Sequence, residues 1–415
     1  MLATVVALYN SGRNGRPTLR PPKEGSVLMR RTLLLLATMA LALMLASGVA
    51  FSQSSPTGGL DATTLSTGEC MSDNQASAKD PRPITVMTRN LYLGADLDPV
   101  FAAVSTGDPG TIVQATTKAW ATIQATNFPE RAGALADEIG DSDPLLVGLQ
   151  EVTKYRTAPA DGSPLPNATK VKYDFLEILL KELDERNLHY APVTIQENAD
   201  GELTGITDEG LTDIRLTDRD VILARTDVSA SQLQLSNPQG GNFEKVNSVP
   251  IPVKRGWVSI DVTLRGQTFR FINTHLEPEK STDPKDPVVN EIQVAQGNEL
   301  LSGPADTNLP VILAGDFNSR AGGGGTDTYS NLIRAGFKDA WSATHPGELG
   351  NTWGHAENLL NTTVNLTQRL DLVLFRDNLC AFQADVVGDE LKDRIRPSGL
   401  WPSDHAGVVA TLRGE

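Results

Sequence analysis

Short apolar runs recur from Pro83 onward, and most of them end on a polar or turn-forming residue. Their spacing predicts strands over 84–88, 145–149, 220–224, 256–264, 268–273, 310–314, 370–375 and 406–412. Trp257-Val258-Ser259-Ile260-Asp261-Val262 alternates, the mark of a half-exposed strand, and Arg265-Gly266-Gln267 turns it back into Phe269-Arg270-Phe271-Ile272 as a hairpin. By contrast, 145–149 and 311–314 are continuously apolar, as strands covered on both faces require. Helical periodicity predicts helices over 111–126, 130–139, 173–186, 288–301 and 328–335. In the third, Phe175, Leu176, Leu179, Leu180 and Leu183 share one face, and Pro129 heads the second as a start signal. Loops are expected at 158–169, 197–212 and 321–326, the last holding four consecutive glycines. Hairpins mixed with helices imply two packed sheets with helices outside, in one domain over 83–415. No internal repeat is present.

Polar islands abut these runs: Asn90 in TVMTRNL, Glu151 in LLVGLQE, His275 in FINTHLE, Asp316 with Asn318 in PVILAGDFN, Asp371 in RLDLVLF, and Asp404-His405 in PSDHAGVV. The first four follow the C-terminal ends of their strands, whereas Asp371 and Asp404-His405 sit at or before the starts of theirs. In a mixed sheet the start of one strand lies beside the end of its neighbour, so both groups can crowd one edge. Singly, each has a plainer reading: Asn90 as a turn residue, Glu151 as a solvated carboxylate, Gly315-Asp316-Phe317-Asn318 as a turn. Together, carboxylates, amides and imidazoles at strand ends are the ingredients of metal-assisted hydrolysis. His189, His345 and His355 lack such a setting and read as surface or helix-end residues. Arg219, just before the strand DVILAR, is a candidate phosphate contact or a surface arginine. Thr352-Trp353 reads as a buried tryptophan or a pocket rim.

Composition narrows this picture. The chain has 415 residues, 40% apolar and 21% charged, with a formal charge of −15. Residues 1–50 carry six basic residues against Glu24 alone, so the body is more acidic than the whole. That disfavours tight non-specific DNA binding but not brief contact through a local cationic patch or a bound metal. Met29-Arg30-Arg31, the uncharged run 32–45 and Gly48-Val49-Ala50 read as a cleaved export signal with Met29 as the true start; an uncleaved anchor is the alternative. Residues 51–82 read as a flexible lead-in. Cys70 and Cys380, the only cysteines, form one bridge or remain two free thiols in a secreted protein, and no Cys/His spacing for structural zinc occurs.

The ordered set TRNL, LQE, NTHL, GDFN, RLDLVLF and SDH resembles the endonuclease/exonuclease/phosphatase superfamily, over about 85–412. The resemblance implies a four-layer α/β/β/α sandwich of two mixed sheets flanked by helices, hydrolysing phosphate esters with Mg²⁺ (Mn²⁺ or Ca²⁺ as alternatives). It implies Glu151 as principal metal ligand, with Asn90 and Asp404 beside the metal. Asp316 would orient or deprotonate water, Asn318 hold a phosphoryl oxygen, His405 pair with Asp371, and His275 stabilise the charged transition state. Three functions follow from it. A secreted nuclease gains from the basic run Lys392, Arg394 and Arg396. A sphingomyelinase-like lipid phosphodiesterase gains from KRGWVSIDV and FRFINTHLEPE, with Leu400-Trp401 as its nearest approach to a membrane-docking feature. A non-catalytic binding module is the third. The expected partner is a phosphodiester substrate, nucleic acid or phospholipid, with peripheral membrane contact only in the lipid reading and no stable protein partner.

Overall fold

The computed structural model describes residues 83–163, 165–248, 251–279 and 287–414. The leader, the lead-in and Cys70, with its pairing to Cys380, lie outside the described residues. The chain opens on β1 (Ile84–Asn90), followed by α1 (Asp98–Thr106), α2 (Pro109–Ala125) and α3 (Phe128–Ser142). Next come β2 (Leu146–Gln150), β3 (Lys154–Pro159), β4 (Lys170–Asp174) and α4 (Phe175–Glu185). A long hairpin of β5 (Tyr190–Thr207) and β6 (Gly210–Arg225) precedes β7 (Leu233–Asn242), β8 (Gly256–Leu264) and β9 (Gln267–His275). Then follow α5 (Pro287–Ser302), β10 (Val311–Asp316), α6 (Thr328–Arg334), β11 (Lys338–Asp339) and α7 (Ala340–Thr344). The chain closes with β12 (Asp371–Arg376), β13 (Leu379–Val387) and β14 (Gly407–Gly414).

Two mixed sheets result. One runs β13-β14-β1-β2-β6-β3-β4, with β5 on β6; the other runs β11-β12-β10-β9-β8-β7. Three apolar layers separate four structural ones. Val147, Leu149, Val221 and Leu223 pack on Leu135, Ile139, Leu179 and Leu183 of the first helical layer. Val86, Leu146, Ile222, Val258, Phe271, Ile312 and Val373 fill the space between the sheets. Leu313, Leu372 and Leu374 pack on Leu300 and Leu332 of α5 and α6. Burying each such side chain contributes roughly 1.5–3 kcal/mol. This is the α/β/β/α sandwich.

Local chemistry sets the helix starts. Asp108 caps α2 by accepting from Thr111 N at 2.8 Å, with Pro109 in the first turn. Asp174 caps α4 by accepting from Leu176 N, and Phe175 then stacks on Phe128 at 3.6 Å between ring centres.

One expectation is overturned. The stretch 197–212 is not a loop but the distal half of the β5–β6 hairpin, with Ile206 opposite Leu211 near its tip. β2 and β3 pair successively along β6, Leu149 opposite Val221 and Lys154 opposite Thr217. The hairpin therefore continues past the end of β2, where the polar islands gather.

Candidate active site

Register brings the second sheet's islands into one row. Asp316 ends β10 directly opposite His275 at the end of parallel β9 and Asp371 at the start of antiparallel β12. In the first sheet Asn90 ends β1 opposite Gln150, one residue before Glu151, and β14 runs antiparallel to β1, so the preceding Asp404-His405 reaches the same edge. Asn90, His275, Asp316, Asp371 and His405 are all 5% exposed or less. Glu151, Asn318 and Asp404 are half-buried.

One amide joins the two sheets: Asn90 Nδ2 donates to Glu151 Oε1 at 3.2 Å and to Asp316 Oδ2 at 3.1 Å. Its Oδ1 accepts from Tyr92 N, which fixes the amide's orientation and leaves Oδ1 as its one oxygen for a metal. Glu151 Oε2 accepts from Leu93 N at 2.6 Å. Glu151 and Asn318 both hold left-handed backbone, φ 56° and 49°, a conformation costing of order 1–3 kcal/mol that structures retain where it aims a side chain. Asn318 N donates to Asp316 Oδ1, and Asn318 Nδ2 gives one hydrogen to Leu276 O, leaving the other for a ligand.

Beneath the site the sheets touch through polar groups. Gln150 Nε2 donates to Asn273 Oδ1 at 2.6 Å, and Asn273 Nδ2 to the carbonyls of Leu149 and Val221. Gly148 is required there, since a Cβ would fall 2.7 Å from Asn273 Oδ1. Arg131, fully buried, clamps the edge: it donates to the carbonyls of Leu91, Tyr92, Thr126 and Pro402. The loop after β1 and the turn before His405 are thereby held together.

His405 Nδ1 lies 2.8 Å from Asp371 Oδ2, and His405 Nε2 lies 3.7 Å from Asp316 Oδ2. Burial opposes its charge, but Asp371, Asp404 and Asp316 outweigh burial and hold its pKa well above the ordinary value. His275 Nε2 is 3.5 Å from the same Asp316 oxygen. Here burial, then Arg255 and His405, push the pKa well below the ordinary value. Burial raises Asp316 to about 6, with Asp371 adding to it. Burial also raises Asp404 to about 6, with Glu151 adding, and raises Glu151, with Asp218 adding.

Residues the motifs did not reveal complete the site. Arg255 Nη1 lies 3.0 Å from His275 Nδ1 and 3.2 Å from Nε2. Asp218 and Asp220 add buried carboxylates near it on β6, and Asp220 Oδ2 accepts from Asn198 Nδ2. Their one legible signal was alternation, which sends 218 and 220 to one face of the strand and 219 to the other. Arg219 is accordingly not a phosphate contact. Its Nε donates to Val152 O and its Nη2 to Asp174 Oδ1 at 2.5 Å, a buried pair that steadies α4. Of the basic run, Lys392 pairs with Glu390 at the surface and Arg394 donates to Gly399 O. Leu400 and Trp401 are buried against Tyr92 and Leu359, so they present no docking surface. His355, expected at the surface, is buried and stacked on Trp401 at 3.9 Å.

The donor set fits a hard divalent cation. Glu151, Asp218, Asp220, Asp316, Asp371 and Asp404 surround a smaller positive complement, Arg255 and His405, and buried carboxylates with raised pKa values are those a cation would stabilise. Among the described residues, Asp316, Asp371 and His405 bring donor atoms within 4.8 Å of one another. The His405–Asp371 hydrogen bond already engages Nδ1, and Glu151 and Asp404 are the remaining carboxylates that would hold a cation.

A mixed sandwich with carboxylates, amides and histidines massed on one edge defines a phosphoester-hydrolysing site. The model of the Endonuclease/Exonuclease/phosphatase family matches residues 122–405, and the chain belongs to that family. It is a metal-dependent hydrolase of phosphate esters. No curated protein matches the chain. Among solved structures, an endonuclease/exonuclease/phosphatase family protein from Bacteroides thetaiotaomicron is similar at 16% identity, covering 81% of this chain and 99% of its own, with a TM-score of 0.49. The mannosyl-6-phosphatase of the same organism is 17% identical over 79% of this chain and 99% of its own, with a TM-score of 0.47. TDP2 from D. rerio, complexed with single strand DNA product, is 17% identical over 80% of this chain and 98% of its own, with a TM-score of 0.46. Family membership rests on the matched model, not on these likenesses.

Proposed function

We propose that this protein is an exported phosphodiesterase that cleaves nucleic acid with Mg²⁺. The observation carrying this reading is the convergence on Asp316, whose Oδ2 is reached by Asn90, His275 and His405. Glu151 and Asp404 would hold the cation, with Asn90 Oδ1 beside it, and Mg²⁺ suits so few protein oxygens because it keeps several waters. A bound cation would neutralise charge growing on the phosphate oxygens and favour ionised water. Asp316 receives the water's proton. Asn318 offers its free amide hydrogen to a phosphoryl oxygen. His405, kept cationic by Asp371, stabilises the pentavalent state, and neutral His275 donates a hydrogen bond from the opposite side. Export rests on the leader sequence alone.

A second reading, lipid phosphodiesterase, draws on the stretches KRGWVSIDV and FRFINTHLEPE and on one structural feature: Ile206 and Leu211 at the β5–β6 tip are each 55% exposed. Burial of Leu400 and Trp401 removes the docking feature it expected. The purified mature protein should nick plasmid DNA with Mg²⁺, stop on EDTA, and leave sphingomyelin vesicles intact. Activity on vesicles alone would reverse the order of the two readings.

A further inference from the structure

Consecutive residues of β1 point to opposite sides of the sheet. Asn90 joins the reacting edge, whereas Arg89 falls on the side of Met87 and Leu91, which pack on the first helical layer. Arg89 is 0% exposed there. Its Nε donates to Glu138 Oε2 at 2.8 Å and its Nη2 to Glu138 Oε1 at 3.0 Å. Two bonds to one carboxylate fix the plane of the guanidinium, and from that plane Nη1 donates to the backbone carbonyl of His405.

Glu138 lies seven positions after Arg131 on α3, on the same face of the helix. Arg131 holds Pro402 O, and Glu138, through Arg89, holds His405 O. One helix therefore grips both ends of the turn that carries Ser403, Asp404 and His405. The amide side of His405 is tied as well: His405 N donates to Ser403 Oγ at 3.2 Å, and Ser403 Oγ donates to Asn90 O at 2.9 Å. Two glycines leave room for the fork. A Cβ on Gly388 would fall 2.7 Å from Glu138 Oε1 and 2.8 Å from Arg89 Nη2, and one on Gly407 would fall 2.8 Å from Arg89 Cδ.

Charge and shape both suit a support for His405. Glu138 neutralises Arg89 at contact distance, so the pair adds no net charge behind the site. A lysine could supply one such bond but not several in one plane. His405 Nδ1 stands 2.8 Å from Asp371 Oδ2 and its Nε2 3.7 Å from Asp316 Oδ2, so a small shift of its backbone moves both distances.

We infer that Arg89, held by Glu138, is a positioning residue for His405: it fixes that residue's carbonyl and so the approach of its imidazole to Asp371 and Asp316. The inference rests on His405 acting in the hydrolysis proposed above. Arg89 itself stands outside the reacting group.

The test pairs turnover of bis-p-nitrophenyl phosphate with Mg²⁺ and proton NMR of the EDTA-treated protein. In the latter, the His405 Nδ1 proton on Asp371 should give a downfield resonance absent from His405→Ala. The decisive variant combines Arg89→Met with Glu138→Met. Exchanging a buried ion pair for apolar residues of similar volume is often neutral for stability, so its Tm should stay near that of the unaltered protein. Its kcat should nevertheless fall about 10²-fold with KM little changed, the cost of displacing a reacting group by about 1 Å. Its downfield resonance should move or broaden. Arg89→Met alone should lose as much kcat, and Arg89→Lys should recover part of it. Glu138→Gln, which keeps the shape of the pair, should lose about tenfold. A stable double variant with unaltered kcat, or with an unmoved resonance, makes the pair a fold element only; that overturns the inference and spares the phosphodiesterase reading. If the double variant does not fold, unchanged kcat and resonance in Glu138→Gln overturn it instead. Turnover absent from the unaltered protein sinks both.

Discussion

His275 and His405 both approach Asp316, at 3.5 and 3.7 Å from the same carboxylate oxygen. They belong to different sheets, and their second partners carry opposite charge. Both are buried, which disfavours charge; Asp371, Asp404 and Asp316 overcome that at His405, while Arg255 adds to it at His275. Distance to a shared carboxylate does not by itself decide a histidine's charge; burial and the sign of its other neighbours do. The site thus places an imidazolium and an imidazole around one carboxylate, two roles from one residue type.

Four experiments break or sharpen that contrast. The largest effect is expected from His405→Ala, which should lower the rate on a generic phosphodiester by about 10²–10⁴; unchanged turnover would remove His405 from the chemistry. Asp371→Asn keeps the hydrogen bond but removes the charge that holds His405 protonated. It should cost about 10–100-fold, and the alkaline limb of the rate profile should move to lower pH. Arg255→Gln should make the two histidines more alike, with a rate loss of about tenfold. Without the positive neighbour the His275 pKa should rise, measurable by NMR titration of the EDTA-treated protein; a further fall would contradict the assignment.

The smallest effect concerns His355, at the site's rim. Its folded pKa of about 4 lies below the unfolded 6.5, so the unfolded chain takes up the proton first as pH falls. The stability it contributes is complete above about 6.5 and lost progressively as pH falls through about 4. His355→Phe should flatten the fall in Tm over that window.

The reacting edge was legible because each of its residues terminates an apolar run, and strand pairing then converts sequence position into place. β8 and β9 were readable almost to the residue from alternation and a tight turn. The β5–β6 hairpin was not. Its strand β5 is an edge strand paired with β6 alone, so stretches such as Glu197-Asn198-Ala199-Asp200-Gly201-Glu202 bury little and carry no apolar signature. Arg219 and Arg255 show the other limit. Arg219 lies inside β6, where strand parity turns it toward Asp174 and α4, whereas Arg255 precedes Gly256, the residue paired with His275. His355 carries no sequence signal for burial, because its stacking on Trp401 depends on a loop that the sequence pattern does not position.

Arg131 carries one last implication. By holding four carbonyls with a single planar fork, it ties the loop after β1, the end of α2 and the turn before His405 to one side chain. Losing that guanidinium would strip a buried donor from all four carbonyls at once, beside the edge that carries Asn90 and His405.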